Sequence, residues 1–536
     1  SNRVKTGIII GFIGIFSFIA VKIFTIDPVS DLKRLEKNGT EASIIAKDYL
    51  LGRGFDLENY RSAEMIEDVF YHKDHKIGSE DGFIMDIIYP KNKLFEYIKK
   101  TSGKDALRSY LSDPDIRIND WVIRFYQSET KREYKVWVNT KGNDNSVIYF
   151  KETLADTAYI PSLSKEEAQD LVIQFAQQNN IDLLNMNLVD NSKTDKENRI
   201  DHFFKYNANN HKNNIAEARK YFEFEVYGNH IGKFTTGIEL PEVWLREYDK
   251  VQFYGIIYIF IYLFSIITLF LIAIWYLFKL LKDNKPNWKL TLIILSIYIS
   301  SGYISFFATI SEHLVNHYDT TKTIYSFWFE TILTHTIGDF VFGACMLVPI
   351  LLVNLGWPEF YNTFKKNNRI LYLKDAFICL FSSMGLYYLY SCIHQLILIY
   401  HPTIFPYSLG MGSIGSPWFL SLFFYDIFWY MITCYFYILG IFFVYRKFSI
   451  KGWGINLFFI IIFSLPIIMP YNNPEPMWFI SNIIWLGFII VLSRYFWRGN
   501  PWGYLFGVLG FFIIPDITRD ILVFGFLLTS SLFIIY

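Results

Sequence analysis

Met431–Lys447, MITCYFYILGIFFVYRK, closes a long apolar run that begins at about Trp418 and ends at Tyr445. No charged residue interrupts it after Asp426, so it is long enough to cross a bilayer as one helix. Arg446 and Lys447 mark the end at which that helix leaves the membrane. Beyond the basic turn, a second apolar run ends in PYNNPEPMW (Pro470–Trp478) and a third in LSRYFWRGNPWG (Leu492–Gly503). IPDITRD (Ile514–Asp520) then opens a last apolar stretch. The fold class is therefore decided here as that of a polytopic α-helical membrane protein.

The charged residues are dense between Lys33 and Lys250 and sparse afterwards. Such a split is the composition of one polar folded part followed by a membrane part. The net charge of zero gives no reason to expect a nucleic-acid partner. All four cysteines, Cys345, Cys379, Cys392 and Cys434, lie in apolar runs without Cys-x-x-Cys or Cys/His spacing, so they read as small buried residues.

Gly7–Phe24 is an apolar run preceded by Arg3 and Lys5 and followed by no Ala-x-Ala-like cleavage site. It reads as a retained signal-anchor helix (residues 1–26), with its N-terminus in the cytoplasm and residues 27–250 outside. That outer part carries a weak internal repeat. EASIIAKDYLLGRGFDL from Glu41 and EEAQDLVIQFAQQNNIDL from Glu166 each start with acidic residues, run about three turns and break at Gly54 or at Asn179–Asn180. Ser164 and Glu167 have the spacing of a capping box. Alternating runs follow each helix: 121–126, 134–139 and 147–152 after the first, 202–206, 221–227 and 231–238 after the second. The expectation is an α+β domain of two tandem units, about 40–160 and 163–245.

From Val251 onward nine further spans are read, at roughly 253–280, 290–310, 326–353, 374–400, 417–445, 454–470, 477–493, 501–514 and 518–536, giving about ten transmembrane helices in all. The loops KLLKDNKPNWK, TFKKNNRILYLK, YRKFSIKGW and SRYFWRGN are basic, whereas those between them carry few positive charges. Every loop then obeys the positive-inside rule, which places the N-terminus and the basic loops in the cytoplasm and the polar domain outside.

The succession of helix lengths and loops from Trp418 to Asp520 resembles the core of the CPBP intramembrane metalloproteases, the CAAX-protease and bacteriocin-processing family. RIDHFFKYNANNHKNNIAEARKYFEFEVYGNHIGKFTTGIELPEVWLREY (Arg199–Tyr248) resembles the end of the ectodomain on that family's long forms. Pro241, Glu242, Trp244, Arg246, Glu247 and Tyr248 match its exit into the second membrane helix, and the two tandem units are similar to PepSY-type modules. The resemblance implies accessory helices over 251–372, a CPBP-like helical core over 373–536 and a place in a bacterial cytoplasmic (inner) membrane. It also implies a Glu-Glu-x-x-x-Arg motif, which aligning the basic exit and Trp453 places at Thr433, Cys434 and Ile438. The family's next histidine falls at Met469, and its last His-x-x-x-Asn/Asp motif falls on Asp516 to Asp520, where only Asp520 is retained. Arg494 stands where a Phe-Arg motif places its arginine.

Hydrolysis of a peptide bond needs a base for the attacking water and a polar group for the oxyanion. With no carboxylate at 433 or 434 and no histidine after His401, the family's chemistry is missing. The expectation is a catalytically inactive CPBP-like protein with no cofactor, acting as an interaction, scaffold or assembly subunit. Its partners are other membrane proteins, met through the ectodomain, and membrane lipid.

The polar residues left at membrane depth keep an alternative open. Thr331, His335 and Asp339 share one helix face, while His394 and Asp426 lie in neighbouring spans. His335, Asp339, His394 and Asp426 read either as a relocated metal or proton site, serving an active protease or a transport protein, or as interhelical hydrogen bonding. The glycine-rich GMGSIGS (Gly410–Ser416) follows no strand and reads as a loop. His72, His75, His202 and His211 have no fixed spacing and read as surface histidines. Gly343 and Ala344 read as helix-packing positions.

Overall fold

The computed structural model describes residues 2–23, 37–68, 93–112, 119–139, 147–183, 186–208, 214–356, 366–400, 491–497 and 500–508, with isolated positions at 484, 487, 488 and 510. The chain starts with helix α1 (Asn2–Ile23) and enters the polar domain at α2 (Gly39–Gly52). Asn38 caps α2: its side chain accepts from the Glu41 amide at 2.9 Å, and Glu41 returns the bond to the Asn38 amide at 3.0 Å. Four antiparallel strands complete the first unit: β1 (Arg61–Asp68), β2 (Asn119–Tyr126), β3 (Glu133–Asn139) and β4 (Val147–Thr153). Helix α3 (Lys93–Ser112) is inserted between β1 and β2 and bends at Gly103, whose φ of 85° suits glycine.

The second unit repeats this order. Helix α4 (Lys165–Gln178) carries the Ser164–Glu167 capping box, and β5 (Met186–Asp195), β6 (Ile200–Ala208), β7 (Arg219–Tyr227) and β8 (His230–Glu239) follow it. Together the strands make one antiparallel eight-stranded sheet in the order β1-β2-β3-β4-β8-β7-β6-β5. The last strands of the two units meet, pairing Phe150 with Phe234 and Lys151 with Lys233. Val136, Phe150, Phe234, Phe224 and Phe204 are cross-strand partners in succession. This row lies in the cores under α2 and α4. The Arg53 guanidinium, at the end of α2, lies over the rings of Phe150 (4.8 Å) and Phe175 (4.7 Å), so one cation bridges the two cores.

The sequence reading named three strands per unit, and the sheet has four. The additional strands, β1 and β5, are the two outermost. RSAEMIED mixes acids into its alternation, and MNLVDNSKTD is exposed along nearly its whole length, so neither writes a buried face into its composition. A bulge near Val189 and the charges of Lys193 and Asp195 equip β5 against pairing with a foreign strand.

After the sheet, α5 (Glu242–Asp283) runs unbroken from Pro241, so the PEVWLREY exit is itself the first turns of a helix. It is followed by α6 (Trp288–Ala308), the short α7 (Ile310–Asn316), α8 (Ile324–Gly356) and α9 (Lys366–Tyr400). A π-helical turn (Leu492–Phe496) and α10 (Pro501–Val508) come last. Among the described residues, three helices are long and apolar enough to cross a membrane: Trp288–Ala308, Ile324–Gly356 and Ile370–Ile393. The expected spans at 417–445, 454–470 and 518–536, and nearly all of 477–493, lie outside the described residues. Gly343 does lie at a helix contact, facing Leu295 and Ile299 of α6.

Helices α1 and α9 lie side by side and parallel. Gly7 abuts Ile378, Gly11 abuts Phe381 and Gly14 abuts Gly385, while Arg3 pairs with Asp375 at 2.8 Å. Small residues let two helix backbones approach closely, and GIIIGFIG supplies them at the spacing of one helix face. The charged end of this pair is tied to the last described segment. Asn500 donates to Asp375 and to the Tyr372 carbonyl, each at 3.0 Å, and the Arg3 guanidinium donates to the Phe496 carbonyl. Trp497 completes the knot by donating to Ser383 at 3.0 Å.

Candidate functional site

The polar domain and the membrane helices meet at α7. Strand β2 is buried on both sides, because Trp121, Ile123 and Phe125 face the core under α2 while Val122, Arg124 and Tyr126 point the other way. On that second face Ala63, Val122, Tyr126, Trp137 and Tyr149 form one apolar cluster with Val315, Tyr318 and Phe327 of the α7–α8 region. Each large side chain fully withdrawn from water contributes about 1.5–3 kcal/mol, so this contact is a substantial part of what holds the domain on the helices.

Arg124 sits at the centre of this cluster and is only 4% exposed. It pairs with Glu133 and donates to the carbonyls of Leu314 (2.5 Å), Val315 (3.4 Å) and Tyr318 (2.6 Å). Those carbonyls belong to the last turn of α7 and the residues after it. They have no intrahelical partners and carry the negative end of the helix dipole, so a guanidinium is the matched cap. Ser128, in the β2–β3 hairpin, serves the next helix: its hydroxyl accepts from the Ile324 amide at 3.1 Å, at the start of α8. One hairpin thus caps the C-terminus of α7 and the N-terminus of α8. Sequence reading found the strand but not this role; the available signal was an arginine inside an otherwise apolar WVIRFY.

Below α7 lies the expected polar face of α8. His335 Nε2 is 3.5 Å from Asp339 Oδ2 and 3.2 Å from the Gly302 carbonyl of α6. A Cβ on Gly302 would stand 2.9 Å from that carboxylate, so the glycine lets Asp339 press against the α6 backbone. Asp339 Oδ2 is buried and accepts no hydrogen bond among the described residues. The His335 ring stacks on Phe306, with centroids 4.8 Å apart, and Phe306 in turn lies 5.2 Å from His313 of α7. His317 follows at 5.8 Å from His313. Three imidazoles and a carboxylate therefore line the path from the sheet junction into the α6–α8 pair. Burial pushes the His313 pKa down, and His317 and His335 lower it further. Burial raises the Glu312 carboxyl, against an opposing pull from His317.

Of the four residues read as a relocated site, the structure brings His335 and Asp339 together. His394 is placed on α9 by its backbone alone, and Asp426 lies outside the described residues. Thr331 shares the face but bonds to its own helix, donating to Phe327 at 2.7 Å. Among the described residues, no group of three or more His, Cys, Asp or Glu side chains is arranged to hold a metal ion. Thr433, Cys434, Ile438, Met469, Asp516 and Asp520 lie outside the described residues, as does GMGSIGS. Arg494 falls in the π-helical turn.

His202 corrects the reading of surface histidines. It is 5% exposed, and its Nε2 lies 3.0 Å from the Leu163 carbonyl, because β6 is covered there by the segment leading into α4. His72, His75 and His211 lie outside the described residues. No protein-family model, curated protein or solved structure matches the chain.

Proposed function

We propose that this chain is a non-catalytic membrane subunit, a CPBP-protease-like scaffold that presents its sheet domain to membrane partners. The observation that carries this reading is the junction at α7. There the hairpin's charged and polar groups, Arg124, Glu133 and Ser128, are committed to fastening the sheet onto the helices. A domain held so firmly delivers a partner's force or position to the membrane part. The loss of carboxylates at Thr433 and Cys434 supports the non-catalytic half of the proposal. The guarded edge of β5 favours docking on side-chain surfaces over strand addition.

The finer plan belongs to the same proposal: about ten membrane helices, a bacterial cytoplasmic membrane, a cytoplasmic N-terminus and residues 27–250 outside. The parallel course of α1 and α9 supports it, since the positive-inside rule gives both helices the same direction. Single cysteines in a background lacking the native four test the topology. One at Ser192, exposed on β5, should react with a membrane-impermeant thiol reagent on intact cells, and one at Asp283, exposed at the end of α5, should not. Reversed labelling would overturn the orientation.

A second reading, transport or proteolysis by relocated polar groups, draws on the His335–Asp339 pair. The scaffold reading is separated from it by isolating the chain in mild detergent. A subunit should run on a native gel as a discrete species well above the size of one chain, with a second protein in fixed ratio. A species containing this chain alone would contradict the proposal.

A further inference from the structure

We propose that α7 is a pH-responsive wedge, in which protonation of His313 between His317 and His335 loosens the seat of the sheet domain on the membrane helices. The geometry that carries this is the double exposure of α7. One side, through Leu314 and Val315, belongs to the cluster under β1–β4, while His313 and His317 lie on the side of Phe306 and His335. Charging the second side therefore acts directly on an element that the sheet grips by the first.

The surrounding groups decide the sign. On α7 itself Glu312 offsets His317. On α8 Asp339 faces His335, and Glu330 is occupied at the surface by Lys322 at 2.8 Å. Helix α6 offers Phe306 to His313 and Tyr303 to His335. From the sheet, Arg124 with Glu133 holds the carbonyl end of α7, and the Glu64 amide lies 3.4 Å from the Ser311 hydroxyl. Two imidazoles thus have a carboxylate beside them, whereas His313 stands between the two other imidazoles. Its pKa is lowered in the seated state, so the seat is favoured while His313 is neutral. The preference is lost as pH falls through the ordinary histidine value, about 6.5.

The test is hydrogen exchange of the full chain in lipid nanodiscs at pH 7.5 and 5.0, expressed as protection factors corrected for intrinsic exchange. Residues 309–323 should be measurably less protected at pH 5.0 than at pH 7.5, while β7 and β8 keep their protection. His313→Gln should abolish the loss. If that variant fails to fold, His317→Gln is measured instead and should make the loss smaller by removing one repelling neighbour. Protection of 309–323 that does not change with pH, or an unaltered loss in the variant that folds, would overturn the proposal.

Discussion

Gly385→Leu is expected to remove the folded protein from the membrane fraction. A Cβ at this position would stand 2.3 Å from the Ile10 carbonyl oxygen and 2.8 Å from the Gly11 Cα, both backbone atoms of α1. Side chains can turn away from an intruding methyl group, but a helix backbone moves only as a whole. Overpacking that shifts side chains costs about 1–3 kcal/mol, and prying two helices apart costs more than that. The separation would also pull Arg3 from Asp375 and from the Phe496 carbonyl, leaving its guanidinium without those partners at the charged end of the pair. Size-exclusion chromatography in mild detergent should show aggregate in place of the native peak. Gly343→Ala is the control, because its Cβ would meet Leu295 at 3.4 Å, an ordinary contact, and the native peak should persist. A native peak for Gly385→Leu would mean that α1 and α9 do not pack as described.

The second large effect is expected at Arg124. Replacement by methionine keeps most of the side-chain volume, takes from the half-buried Glu133 its Arg124 partner and uncaps the end of α7. Breaking a buried ion pair from one side costs about 3–5 kcal/mol. Limited proteolysis of the full chain should then cut within 309–323 at least tenfold faster, about 1.4 kcal/mol or more of lost protection. Adding Glu133→Gln should recover part of the loss, since the stranded charge is removed. Arg132→Ala offers a contrast: that side chain is 48% exposed, and its cut rate within 309–323 should stay near that of the parent. Equal effects at positions 124 and 132 would show that Arg124 is not the clamp.

What the sequence disclosed follows from where each residue's partner lies. The Ser164–Glu167 box is local in the chain, so its spacing alone exposed it, and the structure contains both of its hydrogen bonds. Strands β2–β4 and β6–β8 bury at least one face, and the burial leaves alternation in their composition. Edge strands β1 and β5 have less to bury and went unread. His335 and Asp339 could be paired from their i, i+4 spacing, but Gly302, which lets the carboxylate approach α6, is 33 residues from His335. Arg124 and the α7 carbonyls are about 190 residues apart, and nothing in either stretch names the other. In sequence Gly7–Phe24 reads only as an anchor helix; that Gly7, Gly11 and Gly14 form a packing face shows in their contacts with Ile378, Phe381 and Gly385.

The most direct measurement of the central claim is a cleavage assay on the purified full chain, using prenylated and leader-bearing peptides with and without a metal chelator. A general base contributes factors of about a hundred to ten thousand in rate, and positions 433 and 434 hold Thr and Cys where the resemblance requires that base. The expected result is no cleavage in either condition, unchanged by Thr433→Glu combined with Cys434→Glu. Cleavage by the parent chain that the chelator abolishes would contradict the claim.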